Sequence, residues 1–410
     1  MSTFDIRPVT SNEQRAATNT VRAALLTGAA NDEVLAEERE TAGEGDFLAA
    51  WEGDRCVGHV GAFHFDTTVP GGDRLSTAGV TDVGVLPTHT RRGLLTALIE
   101  QLLGNARDAG TVLASLRASE SPIYGRFGFG LAGDTVAAVI NPRRARPLRF
   151  ERQPGTMRLL EIGEVLTTVP PIYEESRWRV GTVNRNEWLW KFRLRTASEP
   201  NKERHGKGVY VAVHTNTEGE DDGYVHYETE WDEGYACNIG GKGRVLDLAG
   251  TTPDVELALW EYIIGIDLVE SWQAEPRPVD DPIRLAMYDV RAYETRQRLD
   301  EQWVRLLDVD AALSKRSYGP TDREVIIEVT DPMFAENNGN WTISESGAQR
   351  TDRAADLGVD IATVSATYMG GVGWTDLAAS GLLPNASARA VADLDFLFAI
   401  RPAPFSGTMF

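Results

Sequence analysis

Cysteine is nearly absent from this sequence. Cys56 and Cys237 are the only two in 410 residues and lie far apart. That excludes a disulfide framework and any thiolate metal-ligand spacing. Histidine is scarce too, with six scattered residues, so no zinc site is legible and no metal is expected. No apolar run reaches the roughly 18 residues that a membrane-spanning helix needs. The opening Met1-Ser-Thr-Phe-Asp-Ile-Arg7 lacks the apolar core of a signal peptide, and the cytoplasm is the expected compartment. Positive charge is short as well. Lys and Arg number 41 against 61 Asp and Glu, a formal charge of −20. This balance argues against nucleic-acid and anionic-membrane partners. It serves solubility first, and secondarily favours a cationic small molecule. What is present is ordinary for a globular chain, with 42% hydrophobic and 25% charged residues. The length exceeds one core and predicts two or three domains.

The stretch from Thr81 to Gly130 carries the most information. A β-like run, Thr81-Asp-Val83-Gly84-Val85, stops at Leu86-Pro-Thr-His89-Thr90. Arg91-Arg92-Gly93 follows, then Leu94, Leu95, Leu98, Ile99, Leu102 and Leu103, which form one apolar face of a helix. Two arginines and a glycine therefore sit where a strand gives way to a helix. The unpaired N–H groups and the positive dipole end of that helix suit an anion such as pyrophosphate, and Gly93 lets backbone approach it. An ordinary strand-turn-helix with surface arginines would look the same by spacing alone. A second strand runs from Val112 to Leu116, followed by Ala118-Ser119-Glu120-Ser-Pro-Ile-Tyr124-Gly-Arg-Phe127-Gly-Phe129-Gly130.

Val83-Gly-Val85, five residues, then Arg91-Arg92-Gly93-Leu94 resembles the acetyl-CoA-binding turn of the GNAT acyltransferases. Ile123-Tyr124-Gly-Arg-Phe-Gly-Phe129 resembles that family's Tyr-x-x-x-Gly-Phe signature. More narrowly, Pro87-Thr-His89, Arg91-Arg-Gly-Leu-Leu95, Ala118-Ser-Glu120 and Ile123-Tyr-Gly-Arg-Phe-Gly128 resemble the enhanced intracellular survival (Eis) acetyltransferases. Thr90 departs from that family, which more often has a third arginine there.

The resemblance implies an acetyl-CoA-dependent N-acetyltransferase without a metal. Val83, Gly84 and Val85 would pair with the pantetheine arm. Arg91, Arg92, Gly93, Leu94, Leu95 and Thr96 would hold the pyrophosphate. Ser119 and Glu120 would lie where the splayed sheet admits the thioester. Acetyl transfer to an amine needs one group to take a proton and another to protonate the thiolate. The resemblance assigns Tyr124 as acid and the α-carboxylate of the last residue, Phe410, as base. The ending Phe405-Ser-Gly-Thr-Met-Phe410 is apolar enough to be buried. Asp82 and Glu44 are candidates for recognising the amine. The expected acceptors are primary amines of polycationic small molecules, with aminoglycosides favoured and polyamines and lysine side chains open. The alternative is a non-catalytic CoA or lipid binder. The family implies a homohexamer.

For the rest of the chain the same resemblance implies a mixed α/β architecture of two tandem GNAT-like domains, the second degenerate, and a sterol-carrier-like C-terminal domain. The expected bounds are 1–145, 146–290 and 291–410. The first contains a helix from Ser11 to Leu26, a mobile helix or loop over 31–45, and a hairpin around Glu52-Gly-Asp54. Asn141-Pro-Arg-Arg-Ala-Arg-Pro147 reads as a basic linker. In the second domain Pro170-Pro171 should break a helix that begins near Glu164. Strands at 208–214, 223–228 and 244–248 precede a helix at 255–264. Ala249-Gly-Thr-Thr-Pro253 lacks paired arginines, so this domain reads as a degenerate repeat without cofactor. In the third, 324–332, 339–343 and 357–361 read as strands and 388–398 as a helix. Likeness to a sterol carrier is no warrant for lipid binding.

Overall fold

A computed structural model describes residues 4–41, 43–151, 154–198, 207–230 and 240–410. Cys237 lies outside the described residues; Cys56 is a buried free thiol. The chain forms two compact units: Met1–Gly133 with Gln302–Arg401 and Phe410, and Asp134–Glu301 with Pro402–Met409.

The first unit opens with β1 (Asp5–Pro8), α1 (Gln14–Ala24), α2 (Asp32–Thr41), β2 (Gly45–Glu52), β3 (Arg55–Thr68), β4 (Arg74–Val85), α3 (Leu94–Asp108), β5 (Leu113–Leu116) and the start of β6 (Gly130–Ile140). The 31–45 segment is thus largely helical. β1 to β4 pair antiparallel in sequence order, and β5 joins β4 in parallel. The α3 stripe does what its spacing predicts. Leu94, Leu98, Ile99, Leu102 and Leu103 are buried against Val57 and Val60 of β3 and Val80 of β4. Each such leucine contributes about 1.5–3 kcal/mol of burial.

The second unit contains α4 (Pro142–Ala145), β7 (Thr156–Leu159), α5 (Val165–Glu175), α6 (Glu187–Ser198), β8 (Lys207–Thr215), β9 (Asp221–Glu230), β10 (Gly241–Gly250), α7 (Pro253–Gly265), β11 (Val269–Pro278), α8 (Ile283–Ala286) and the first part of β12 (Tyr293–Leu306). Its sheet runs β6-β11-β10-β9-β8-β7, with β10 and β11 parallel. Two expectations change here. The basic 141–147 stretch is partly ordered: Asn141 caps α4, and Pro142 and Ala145 are buried. α5 runs straight through Pro170 and Pro171, because Val165, Val169, Ile172 and Tyr173 together bury one helical face. That burial outweighs the lost hydrogen bonds.

The first unit resumes with the end of β12, then α9 (Val309–Lys315), β13 (Glu324–Thr330), β14 (Gly339–Ser344), β15 (Gly347–Thr351), β16 (Leu357–Asp360), α10 (Ile361–Tyr368), α11 (Trp374–Ala379) and α12 (Ala388–Phe398). β12 pairs with β5 from Trp303 to Leu306. A second sheet has the order β15-β14-β13-β16. Phe334 from this later segment enters the same core as α3. Arg305 and Asp331 form an ion pair with both side chains wholly buried, at 2.9 Å. Asp331 also accepts from the Met333 and Phe334 amides and Asn337 Nδ2, so its carboxylate is compensated, while Arg305 bonds through Nη2 and its buried Nε and Nη1 have no hydrogen-bond partner.

In the second unit Arg185, 1% exposed at its side chain, pairs with Asp247 at 2.5 Å. Tyr224 Oη donates to the same carboxylate at 2.7 Å. Arg185 also donates to Thr408 Oγ1 at 3.0 Å. Glu301 accepts from the backbone N–H groups of Ser406 (3.1 Å) and Gly407 (2.8 Å). Residues 402–409 are therefore anchored rather than frayed, as their apolar composition predicts.

Glu256 in α7 is buried, and its carboxyl is pushed up to about 7. Burial is the main cause, opposed by Arg277 and Arg179 and reinforced by Asp281 and Asp280. Between the ordinary value of 4.5 and about 7 the folded state keeps a proton that the unfolded chain has released. Stability from this group is complete below that window and is lost as pH rises through it. Glu256→Gln should flatten the melting temperature across pH 4.5–7, where the parent should decline; thermal scans at stepped pH read this directly.

Candidate active site

The site begins where two strands part. β4 pairs with β5 at Thr77–Leu113, Ala78–Ala114 and Gly79–Ser115, and pairing ends there. The backbone from Val80 to Val85 has no β5 partner, although β4 continues beside β3 to Val85. Opposite Val60, the β3–β4 register slips, so that Asp82 and Val83 face one residue. This is a β-bulge. Asp82 takes a left-handed backbone with φ of 52°, a conformation that a non-glycine residue adopts at a cost. Val83 and Val85 are half-buried beside the α3 core. Gly84 is required for a different reason from ligand approach alone: a Cβ there would lie 3.0 Å from Val21 Cα of α1.

The turn into α3 is curled by positive φ at Arg91 (62°) and Gly93 (81°). Arg91, Arg92 and Gly93 are exposed. No side chain caps α3, so the first amides, of Leu94, Leu95 and Thr96, remain as donors beside two guanidinium groups. The corresponding helix of the second unit differs. Thr252 accepts from Val255 N at 3.3 Å and Pro253 removes a donor at the first position of α7. That helix end therefore offers fewer free amides than the start of α3. His89 serves as a brace. It is buried, and its Nε2 lies 3.1 Å from Glu52 Oε2, while Arg92 Nη1 lies 3.8 Å from Glu52 Oε1. The His89 hydrogen bond, against opposing burial, holds the Glu52 carboxyl below its usual range. Sequence reasoning did not single out Glu52, because its partner lies 37 residues on.

Tyr124 sits between two 3₁₀ turns, Ser121–Ile123 and Gly125–Phe127. It is 4% exposed and meets Phe129 edge to face at 6.0 Å. Burial raises its phenol pKa, a hydrogen bond with Ser119 lowers it, and Glu120 raises it. The phenol therefore keeps its proton at neutral pH and can donate it. The glycines around it have packing reasons. Gly128 has φ of 84°, and a Cβ there would overlap Arg305. A Cβ on Gly130 would overlap the backbone of α10 at Ala362 and Ala366. The Phe410 ring packs on Phe65 at 4.8 Å and lies 3.1 Å from where a Gly79 Cβ would stand. The last residue thus sits at the point on β4 where pairing with β5 ends.

A cavity of about 690 Å³ opens beside the bulge, lined by Arg22, Arg39, Asp46, His59 and Asp82 among others. His59 is buried, stacks on Phe47 at 6.0 Å, and its Nδ1 lies 2.9 Å from the Asp82 carbonyl oxygen. A carbonyl only accepts, so Nδ1 carries the proton and Nε2 is left as an acceptor. Burial raises the Asp82 carboxyl, partly offset by His59, and burial lowers His59. Of the two sequence candidates for amine recognition, Asp82 lines this cavity and Glu44 is not among its lining residues. His59, Asp46, Arg22 and Arg39 were not singled out by sequence, since only the β3–β4 slip and the α1 packing bring them together.

Among the described residues no helix is long and apolar enough to cross a membrane. Residues 5–132 and 181–306 match acetyltransferase (GNAT) domain families, and residues 309–406 match a sterol carrier protein domain. An uncharacterized N-acetyltransferase of Streptomyces avermitilis is 34% identical over 372 residues, 87% of this chain and 88% of that one. The N-acetyltransferase Eis of Mycobacterium tuberculosis is 32% identical over 362 residues, 85% of each chain. The crystal structure of Eis1 from Mycobacterium abscessus superposes with a TM-score of 0.87 at 34% identity, covering 99% of this chain and 100% of that one. A GNAT structure from Anabaena variabilis, at 16% identity and a TM-score of 0.82, shares the fold. The chain is thus an acetyltransferase rather than a non-catalytic binder. With identity spread over most of both chains, and two GNAT domains followed by a sterol carrier domain, it belongs to the Eis family of GNAT N-acetyltransferases.

Proposed function

We propose that the first domain, residues 1–145, transfers acetyl from acetyl-CoA to a primary amine, with 146–290 a degenerate copy and 291–410 the sterol-carrier-like domain. The parting of β4 from β5 beside an uncapped, arginine-flanked helix start carries this reading. The edge of Val80–Val85 that has no β5 partner would bond the pantetheine amides as an added strand does. Arg91, Arg92 and the amides of Gly93 to Thr96 would hold the pyrophosphate. Ser119 and Glu120 would border the thioester. The amine nitrogen attacks the thioester carbonyl, the C–S bond breaks, Tyr124 protonates the leaving thiolate, and the Phe410 carboxylate takes the proton from the new ammonium. The acceptor binds in the cavity beside Asp82 and His59.

Asp82, Asp46 and the net charge of −20 favour polycationic acceptors, aminoglycosides first. Arg22 and Arg39 in the same cavity favour a second reading, in which the amine also bears an anionic group, as amino acids do. Thiol release from acetyl-CoA with aminoglycosides, polyamines and amino acids separates them. Light scattering tests the homohexamer, and fractionation the cytoplasmic location, that this reading includes.

Arg91→Ala and Arg92→Ala should each weaken acetyl-CoA binding about tenfold. Both residues are exposed, so stability should stay within about 0.5 kcal/mol. Calorimetry and melting temperature read the two effects. Tyr124→Phe keeps the packing and should cut kcat about 10²- to 10⁴-fold while leaving acetyl-CoA affinity unchanged; unaltered turnover would remove the acid role. A short extension after Phe410 should lower kcat at least about tenfold with melting unchanged. Full turnover in the extended protein would exclude the terminal carboxylate as base.

A further inference from the structure

The second unit holds a cavity of its own, about 640 Å³, bounded by Gly155, Met157, His214, Glu261, Tyr262 and Ile266 among others. His214 of β8 is 4% exposed. Its Nδ1 lies 2.6 Å from Asp222 Oδ1 of β9. A carboxylate only accepts, so Nδ1 carries the proton, and in the neutral ring Nε2 presents a lone pair. That Nε2 is buried and has no hydrogen-bond partner. It faces the bare α-carbon of Gly155, which has φ of 130° and where any Cβ would overlap it. Buried polar atoms are rarely left unpaired without a reason. Here the ring is held by Asp222, the residue beside Nε2 carries no side chain, and both His214 and Gly155 line the cavity.

The rest of the lining says what could enter. It includes the Glu261 carboxylate on α7 and, among the described residues, no lysine or arginine. The Tyr262 hydroxyl is engaged with Tyr227 at 2.9 Å, which leaves its ring as wall. Met157, Ala258 and Ile266 are apolar. An acceptor nitrogen, a carboxylate and an apolar wall together select a hydrogen-bond-donating cation with a short hydrophobic body. We propose that this cavity is a second ligand site, separate from acetyl transfer, that binds an organic ammonium through His214 Nε2 and Glu261.

The probe is 2-phenylethylamine, with 3-phenylpropanoate as its anionic counterpart, added to the full-length protein. The readout is the His214 ring C–H resonance, assigned by its loss in His214→Gln. The amine should shift this resonance saturably, and Glu261→Gln should raise its Kd about tenfold without disturbing the fold. The anion should leave the resonance unmoved. An equal shift with the anion, no saturable shift with the amine, or an unchanged Kd in Glu261→Gln would each overturn the site. Because the readout is a histidine of the second unit, it is independent of whether the first domain acetylates anything.

Discussion

Backbone amides and carbonyls demand partners, and the edge of β4 that faces β5 loses its strand partner after the Gly79–Ser115 contact. The candidate site follows from that divergence. The bulge at Asp82 and Val83 bends the strand away. The helix that follows starts with uncapped amides. A ligand that offers amides along its length and an anion at its end meets both demands at once. Phe410 stands at the same point of divergence, and Tyr124 lies on the segment leading out of β5.

Each unit holds buried charges in sets of ion pairs and hydrogen bonds. Arg305 and Asp331 lie beneath Gly128, so the signature loop rests on an ion pair that only a glycine can cover. In the second unit the Arg185–Asp247–Tyr224 group binds Thr408 through Arg185, and Glu301 binds the adjoining backbone. Removing one member of such a set strands the others in a low-dielectric interior, at about 3–5 kcal/mol. These sets act as positional locks more than as net sources of stability.

Local patterns were legible. The α3 stripe, the hairpin at Glu52–Asp54, the β8 and β9 strands and the anchored C-terminal segment all follow from periodicity, turn chemistry and composition. The family signatures marked Arg91, Gly93 and Tyr124 before any coordinates. What misled was local reasoning about breakers and linkers. Pro170 and Pro171 sit inside α5, and 141–147 holds a capped helical turn, because tertiary burial decided both. His89, read only as motif, is a buried brace whose partner Glu52 belongs to another hairpin.

The sequence by itself determined the α3 stripe, the β2–β3 hairpin and the family signatures, because these depend on residues close together along the chain. The tertiary structure alone decided that His59 and Asp82 share a cavity with Arg22 and Arg39, that Arg305 faces Asp331, and that His214 Nε2 is left unpartnered beside Gly155. Those pairings join strands and helices tens of residues apart. Register slips, positive φ angles and excluded Cβ atoms set them, and none of these leaves a period in the sequence.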